Sequence, residues 1–176
     1  MIGLTKLSPG AGNVALAERP EPAPGPGQVV VEVVGAGICG TDLHIADGEY
    51  ETVTPVTMGH EVSGVVAEVG AGVEASWRGA RVASETYFAT CGRCEHCLAG
   101  RINLCPERRS IGTHVDGAFA ARVVVPGRNL RVDLESLVTE IVPLEEWERA
   151  LAATRAAERI KFVLAPLRAM SWGQAP

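Results

Sequence analysis

Four cysteines, Cys91, Cys94, Cys97 and Cys105, fall in one short stretch of the chain. Two residues separate each of the first three, and seven precede the last. Thiolates hold zinc at about 2.3 Å, and four of them close a tetrahedron with no position left for a substrate. The spacing therefore reads as a structural zinc lobe over residues 91–105, with Gly92 and Gly100 permitting its bends. A four-iron cluster is the competing reading, because Pro106 follows Cys105 as in bacterial ferredoxins, but the last gap there is three residues rather than seven. Four reduced, unliganded thiols are the remaining alternative. His96 lies inside the lobe and, with four thiols available, reads as a surface residue. A second group lies upstream: Cys39, His60 and Glu61 offer a thiolate, an imidazole and a carboxylate. Three protein ligands and an open position make the catalytic kind of zinc site, although a Cys and a His-Glu pair by themselves are more often structural.

The elements that must position these residues are mostly strands. Residues 28–34 (Gln-Val-Val-Val-Glu-Val-Val) follow a loop with four prolines between Pro20 and Gly27, and predict a strand. Val62–Val69 predicts another, closed by Gly70 and Gly72, and Arg81–Ser84 and Ala118–Val125 add two more. Short strands with Gly/Pro turns and no long helix between them point to an antiparallel barrel or sandwich. The texture then changes. From Leu144 to Arg159 the spacing of Leu144, Trp147, Leu151 and Thr154 or Arg155 predicts an amphipathic helix, entered after Pro143 and acidic in its first turn. Ile160–Leu164 predicts a closing strand, and no pattern is seen from Pro166 to Pro176.

Gly35-x-Gly37-x-x-Gly40 after the first strand satisfies the glycine part of the dinucleotide fingerprint. That fingerprint also needs a helix after the glycines and an acidic end to the next strand. The residues that follow predict no helix of useful length, so nucleotide binding is rejected there.

Composition narrows the classes further. At 176 residues, 47% hydrophobic and 21% charged, the chain has the make-up of a soluble globular protein. A net charge of −5 argues against a nucleic-acid partner. No apolar run approaches the roughly 18–20 residues of a membrane span. Residues 1–9 lack a signal-peptide pattern, so the expected compartment is cytoplasmic, where clustered thiols favour metal over disulfides.

Together these residues resemble the zinc-dependent medium-chain alcohol dehydrogenases, nearest to the polyol, butanediol and threonine dehydrogenase branches. The resemblance rests on Gly37–His44 (Gly-Ile-Cys-Gly-Thr-Asp-Leu-His), on Gly59-His60-Glu61-x-x-Gly64-x-Val66, on Gly79-x-Arg81-Val82, on the cysteine lobe and on Asp116–Ala120 (Asp-Gly-Ala-Phe-Ala). It implies a mainly β, GroES-like barrel with a zinc lobe, one C-terminal amphipathic helix and a closing strand. It implies that Cys39 and His60 ligate a catalytic zinc, with Glu61 a third ligand or a close carboxylate. Asp42 would hold the imidazole of His60, Thr41 would take the proton of a bound alcohol, and His44 would pass it to solvent. Cys91, Cys94, Cys97 and Cys105 would hold the structural zinc. A small alcohol is the implied ligand, and an oligomer is compatible with the resemblance.

The family's cofactor domain has no counterpart. Residues 1–131 read as the catalytic domain, 132–136 as a connector, 137–165 as the returning helix and strand, and 166–176 as a tail. A dinucleotide domain is built of βαβ units of about 30 residues each, and the connector cannot supply one. The expectation is a catalytic domain from which the NAD(P) domain has been excised, with no NAD(P) site and little dehydrogenase activity of its own. The family's further zinc ligand goes with that domain; Glu135 is a weak substitute. Two other functions compete. One is hydrolysis by water activated at the open zinc position. The other is a zinc-stabilised binding or scaffold module that uses only the lobe.

Overall fold

The computed structural model describes residues 1–131, 140–156 and 162–165. In chain order the elements are β1 (Ile2–Lys6), β2 (Val14–Glu18), β3 (Gln28–Gly37), α1 (Gly40–Asp47), β4 (Val56–Thr57), β5 (Glu61–Val69), β6 (Arg81–Ser84) and β7 (Tyr87–Ala89). They continue with α2 (Glu95–Leu98), β8 (Arg109–Ser110), β9 (Arg122–Pro126), β10 (Leu130–Arg131), β11 (Glu140–Pro143), α3 (Trp147–Arg155) and β12 (Phe162–Ala165).

β3 organises the molecule. Its valines are β-branched and buried on both faces, which suits a central strand. One edge pairs antiparallel with β5 along nearly its whole length. The other edge is shared: residues 28–32 pair with β9, and Ala36 and Gly37 pair with β12. A register shift at Val33/Gly35 bends β3 between its two partners. The sheet order is β10-β6-β5-β3-β12-β11, with β9 beside β3, while β2-β1-β4 and β7-β8 form smaller sheets. β11 and β12 run parallel, joined through α3, which buries Ala150 and Leu151.

One backbone pairing sets the position of the candidate ligands. The amides of Gly117, Ala118 and Phe119 donate to the carbonyls of Thr57, Gly59 and Met58 respectively. Asp116 accepts from the Thr57 amide at 2.8 Å and takes a two-pronged ion pair from Arg19 at 2.9 and 3.1 Å. Met58 and Phe119 are fully buried beneath this pairing, each contributing about 1.5–3 kcal/mol. Gly59 turns the chain there at φ +88°, and a Cβ on it would sit 2.5 Å from the Phe119 ring. His60 therefore emerges from a fixed corner.

Three sequence expectations need correction. The strand expected over Ala118–Val125 begins only at Arg122, because residues 117–119 direct their amides to the 57–59 loop. The helix expected over Leu144–Arg159 opens as a 3₁₀ turn at Leu144–Glu146 and becomes α3 at Trp147–Arg155. Gly40 does open a helix, α1, of eight residues. Its start is stabilised by a reciprocal cap: the Thr41 amide donates to Cys39 Sγ at 3.3 Å, and the Cys39 amide donates to Asp42 Oδ2 at 2.9 Å. The dinucleotide reading fails for a different reason than expected. β3 has antiparallel partners on both edges, and the helix N-terminus is already occupied by the Cys39 and Asp42 side chains. The connector 132–136, Glu135, residues 157–161 and the tail 166–176 lie outside the described residues.

Candidate functional site

Among the described residues two groups of ligating side chains converge: Cys91, Cys94, Cys97 and Cys105, and Cys39, Asp42 and His60. In each group the candidate ligand atoms lie within 4.8 Å of one another.

In the lobe, Cys91 Sγ lies 3.6 Å from Cys105 Sγ and 3.9 Å from Cys97 Sγ. Four thiolates around one zinc at about 2.3 Å stand about 3.8 Å apart, so these separations fit a metal and not a disulfide. The backbone arranges them. Cys94 caps α2 by accepting from the Cys97 amide, Cys91 accepts from the Cys94 amide and Cys105 from the Cys91 amide, each at 3.4 Å. The amides of Arg93 and Cys94 bring the Cys91 thiol down to about 6, whereas desolvation and hydrogen bonding with Cys94 push Cys97 up to about 11. The four sulfurs cannot all carry charge unless a cation joins them. His96 is half-buried rather than on the surface, with Nε2 3.6 Å from Glu95.

At the second group, Cys39 Sγ lies 3.1 Å from His60 Nε2, and His60 Nδ1 lies 3.6 Å from Asp42 Oδ1. Asp42 is completely buried, and both Oδ1 and His60 Nδ1 are buried atoms without a hydrogen-bond partner. A sulfur and a nitrogen sharing one zinc are separated by about 3.6 Å. One movement of the His60 ring by about half an ångström, from Cys39 toward Asp42, would open the first gap to that value and close the second into a hydrogen bond. The donor set thus fits a metal on the open side of Cys39 and His60. Burial opposes charge on His60, but the Asp42 carboxylate and the Cys39 sulfur beside it outweigh this and raise the imidazole to about 10. Burial works to raise the Cys39 thiol, but it too is outweighed, chiefly by His60, and the thiol lies below its ordinary value.

Glu61, the first residue of β5, pairs with Gly37 in register, and its Oε2 fills the space that a side chain at position 37 would need. It is not one of the three residues that converge. Thr41 stands on the wall of a cleft of about 230 Å³ that also exposes His60, Tyr50, Thr86, Tyr87, Arg108, Ser110, Ile111 and Thr113. His44 lies one turn along α1 from Thr41, exposed, with Nδ1 2.7 Å from Glu49. Sequence reasoning did not single out the far wall of the cleft. Tyr50, Thr86 and Arg108 come from separate loops, and the only local signal was a basic residue three positions after Cys105.

Comparison with known proteins follows the same outline. A family model described as the alcohol dehydrogenase GroES-like domain matches residues 25–134. The chain is 43% identical over 160 residues to a sorbitol dehydrogenase of Halalkalibacterium halodurans, covering 88% of this chain and 46% of that protein. It is 39% identical over 150 residues to an L-threonine 3-dehydrogenase of Pyrococcus horikoshii, covering 83% and 42%. A solved structure of a cobalt- and zinc-bound thermostable alcohol dehydrogenase from Pyrobaculum aerophilum superposes with a TM-score of 0.67 at 34% identity, over 76% of this chain and 42% of that one. The chain spans less than half the length of these curated relatives.

Proposed function

The chain belongs to the alcohol dehydrogenase GroES-like domain family, and from that premise we propose that it is the metal-binding, alcohol-holding part of a dehydrogenase of polyols or other secondary alcohols. The observation that carries the reading is the convergence of Cys39 and His60 on the wall of a small polar cleft, with Asp42 buried behind the imidazole. Zinc held there by Cys39 and His60, with Glu61 as a nearby carboxylate, supplies Lewis acidity that lowers the pKa of an alcohol hydroxyl. The residues around it have separate tasks. Asp42 fixes the tautomer of His60 by accepting from Nδ1–H, which leaves Nε2 facing the cleft. Thr41 Oγ1 would take the alcohol proton as it gives its own toward His44, and His44, paired with Glu49, would release a proton to solvent. The four lobe thiolates hold a second, structural zinc.

Eight residues separate β10 from β11, too few for even one βαβ unit of about 30 residues. β11 and β12 nonetheless return to the sheet of β3. We read this as a deletion of the cofactor domain at that point, so that the hydride acceptor has no site among the described residues. Cobalt substitution tests the reading. The visible spectrum of the cobalt-loaded chain should change on adding a secondary alcohol and fail to do so in His60→Ala. Sorbitol and NAD(P)⁺ with the chain alone should give no turnover; sustained turnover would overturn the incompleteness.

A further inference from the structure

The cleft contains a cation that the reaction above does not use. Arg108 lies on its wall, and its guanidinium stacks 5.4 Å from the centre of the Tyr87 ring while donating to the carbonyl of Asn103. No acidic side chain among the described residues forms an ion pair with it. Thr86, Ser110 and Thr113 line the same cleft; the Thr86 and Thr113 hydroxyls donate to the carbonyls of His60 and Ser110 at 3.4 and 3.2 Å. Desolvation and the charges of Arg109 and Arg108 all hold His114, next to Thr113, below the usual imidazole range.

A guanidinium with spare donors at a cleft lined by a further hydroxyl, Ser110, is a receptor for a planar or tetrahedral oxyanion. The cleft, of about 230 Å³, suits a compact ligand. We propose that Arg108 makes this cleft selective for short hydroxyl compounds that carry an anionic group, a phosphate or a carboxylate, at the end away from His60. The proposal rests on the reading of Cys39 and His60 as the alcohol site, since the hydroxyl end is assigned by it. Arg108 acts here as a specificity residue: it holds the remote end of the molecule and so places the hydroxyl at Thr41 and His60.

Calorimetric titration of the zinc-loaded chain with glycerol, glycerol 3-phosphate, glycerate and inorganic phosphate tests this. Glycerol 3-phosphate, glycerate or both should bind at least about tenfold tighter than glycerol, and which of them leads identifies the anion. Arg108→Gln should remove the preference, Arg108→Lys should keep part of it, and Arg109→Gln should keep all of it. The preference should shrink as salt rises. Equal affinity for the charged and neutral compounds in the wild-type chain, or a preference that survives Arg108→Gln, would overturn the assignment. Should Arg108→Gln not fold, the wild-type ratio and Arg108→Lys decide alone. The underlying alcohol reading is tested independently: His60→Ala should abolish glycerol binding while sparing inorganic phosphate. Glycerol binding unchanged in His60→Ala would sink that reading and leave the anion result to stand or fall separately.

Discussion

Replacing Asp42 with Asn changes one atom and one charge at the centre of the proposed catalytic site. Asp42 is fully buried, with Oδ2 committed to the Cys39 amide at 2.9 Å and Oδ1 facing His60 Nδ1 at 3.6 Å. In the Asp42→Asn variant the side-chain oxygen must stay on the Cys39 amide, because an amide nitrogen there would oppose another donor. The NH₂ group then faces His60 Nδ1 and favours the tautomer protonated on Nε2, the atom needed for the metal. Loss of such a supporting carboxylate typically weakens metal binding about 10–100-fold. That corresponds to about 1.4–2.7 kcal/mol. Competition between the chain and a chromophoric chelator for cobalt would measure it, with the lobe site as internal reference. The expected result is a selective loss at the weaker site and an unchanged lobe. Affinity within about twofold of wild type would refute the tautomer argument, and an equal loss at both sites would mean a general disturbance of the fold.

Other consequences can be checked with simpler tools. Metal uptake at Cys39 and His60 should be proton-coupled: His60 holds its proton up to about 10, and a ligating imidazole must be neutral. Raising the pH removes that competing proton, so apparent affinity should climb with pH, about tenfold per unit for each proton displaced, and fall in acid. A pH-independent affinity between about pH 6 and 8 would contradict the imidazolium. Gly59→Ala puts a Cβ 2.5 Å from the fully buried Phe119 ring at φ +88°, and should cost roughly 2–5 kcal/mol, seen as a fall in the thermal midpoint. Cys97→Ser or a chelator should open the lobe to trypsin at Arg93 and Arg101, both exposed, while the main sheet stays protected. This is expected because Leu98 and Leu104 are exposed, so little apolar burial would hold the lobe once its thiols lose their metal.

The valine-rich strands β3 and β5 were legible because a β-branched run bounded by glycine and proline has few other fates. The lobe was legible for a similar reason, since thiol spacing is a local property. β1 was not: Lys6 looks like a surface residue, yet it is 2% exposed, its ammonium bonded to the carbonyls of Gly10, Gly12 and Ala46. Two of these partners are local, and Ala46 lies 40 residues away, out of reach of any local pattern. α1 was missed because its cap is a thiol rather than a hydroxyl, and Gly40 and Thr41 are poor helix formers. In α3 the periodicity picked out Trp147, but the completely buried position is Ala150, a small residue that sequence hydrophobicity underweights. At the site, Cys39, Asp42 and His60 were named from the sequence, but their meeting depends on the 117–119 to 57–59 backbone pairing, which no side-chain pattern announces. The far wall of the cleft is assembled from three loops and has no sequence period at all.

The alcohol reading of the cleft depends on a metal site at Cys39 and His60 that is distinct from the one in the lobe. Zinc content measured on the purified full chain by plasma mass spectrometry tests this most directly. Two zinc ions per chain are expected, falling to one in His60→Ala while the lobe keeps its own. A single zinc in the wild-type chain that His60→Ala leaves untouched would contradict it.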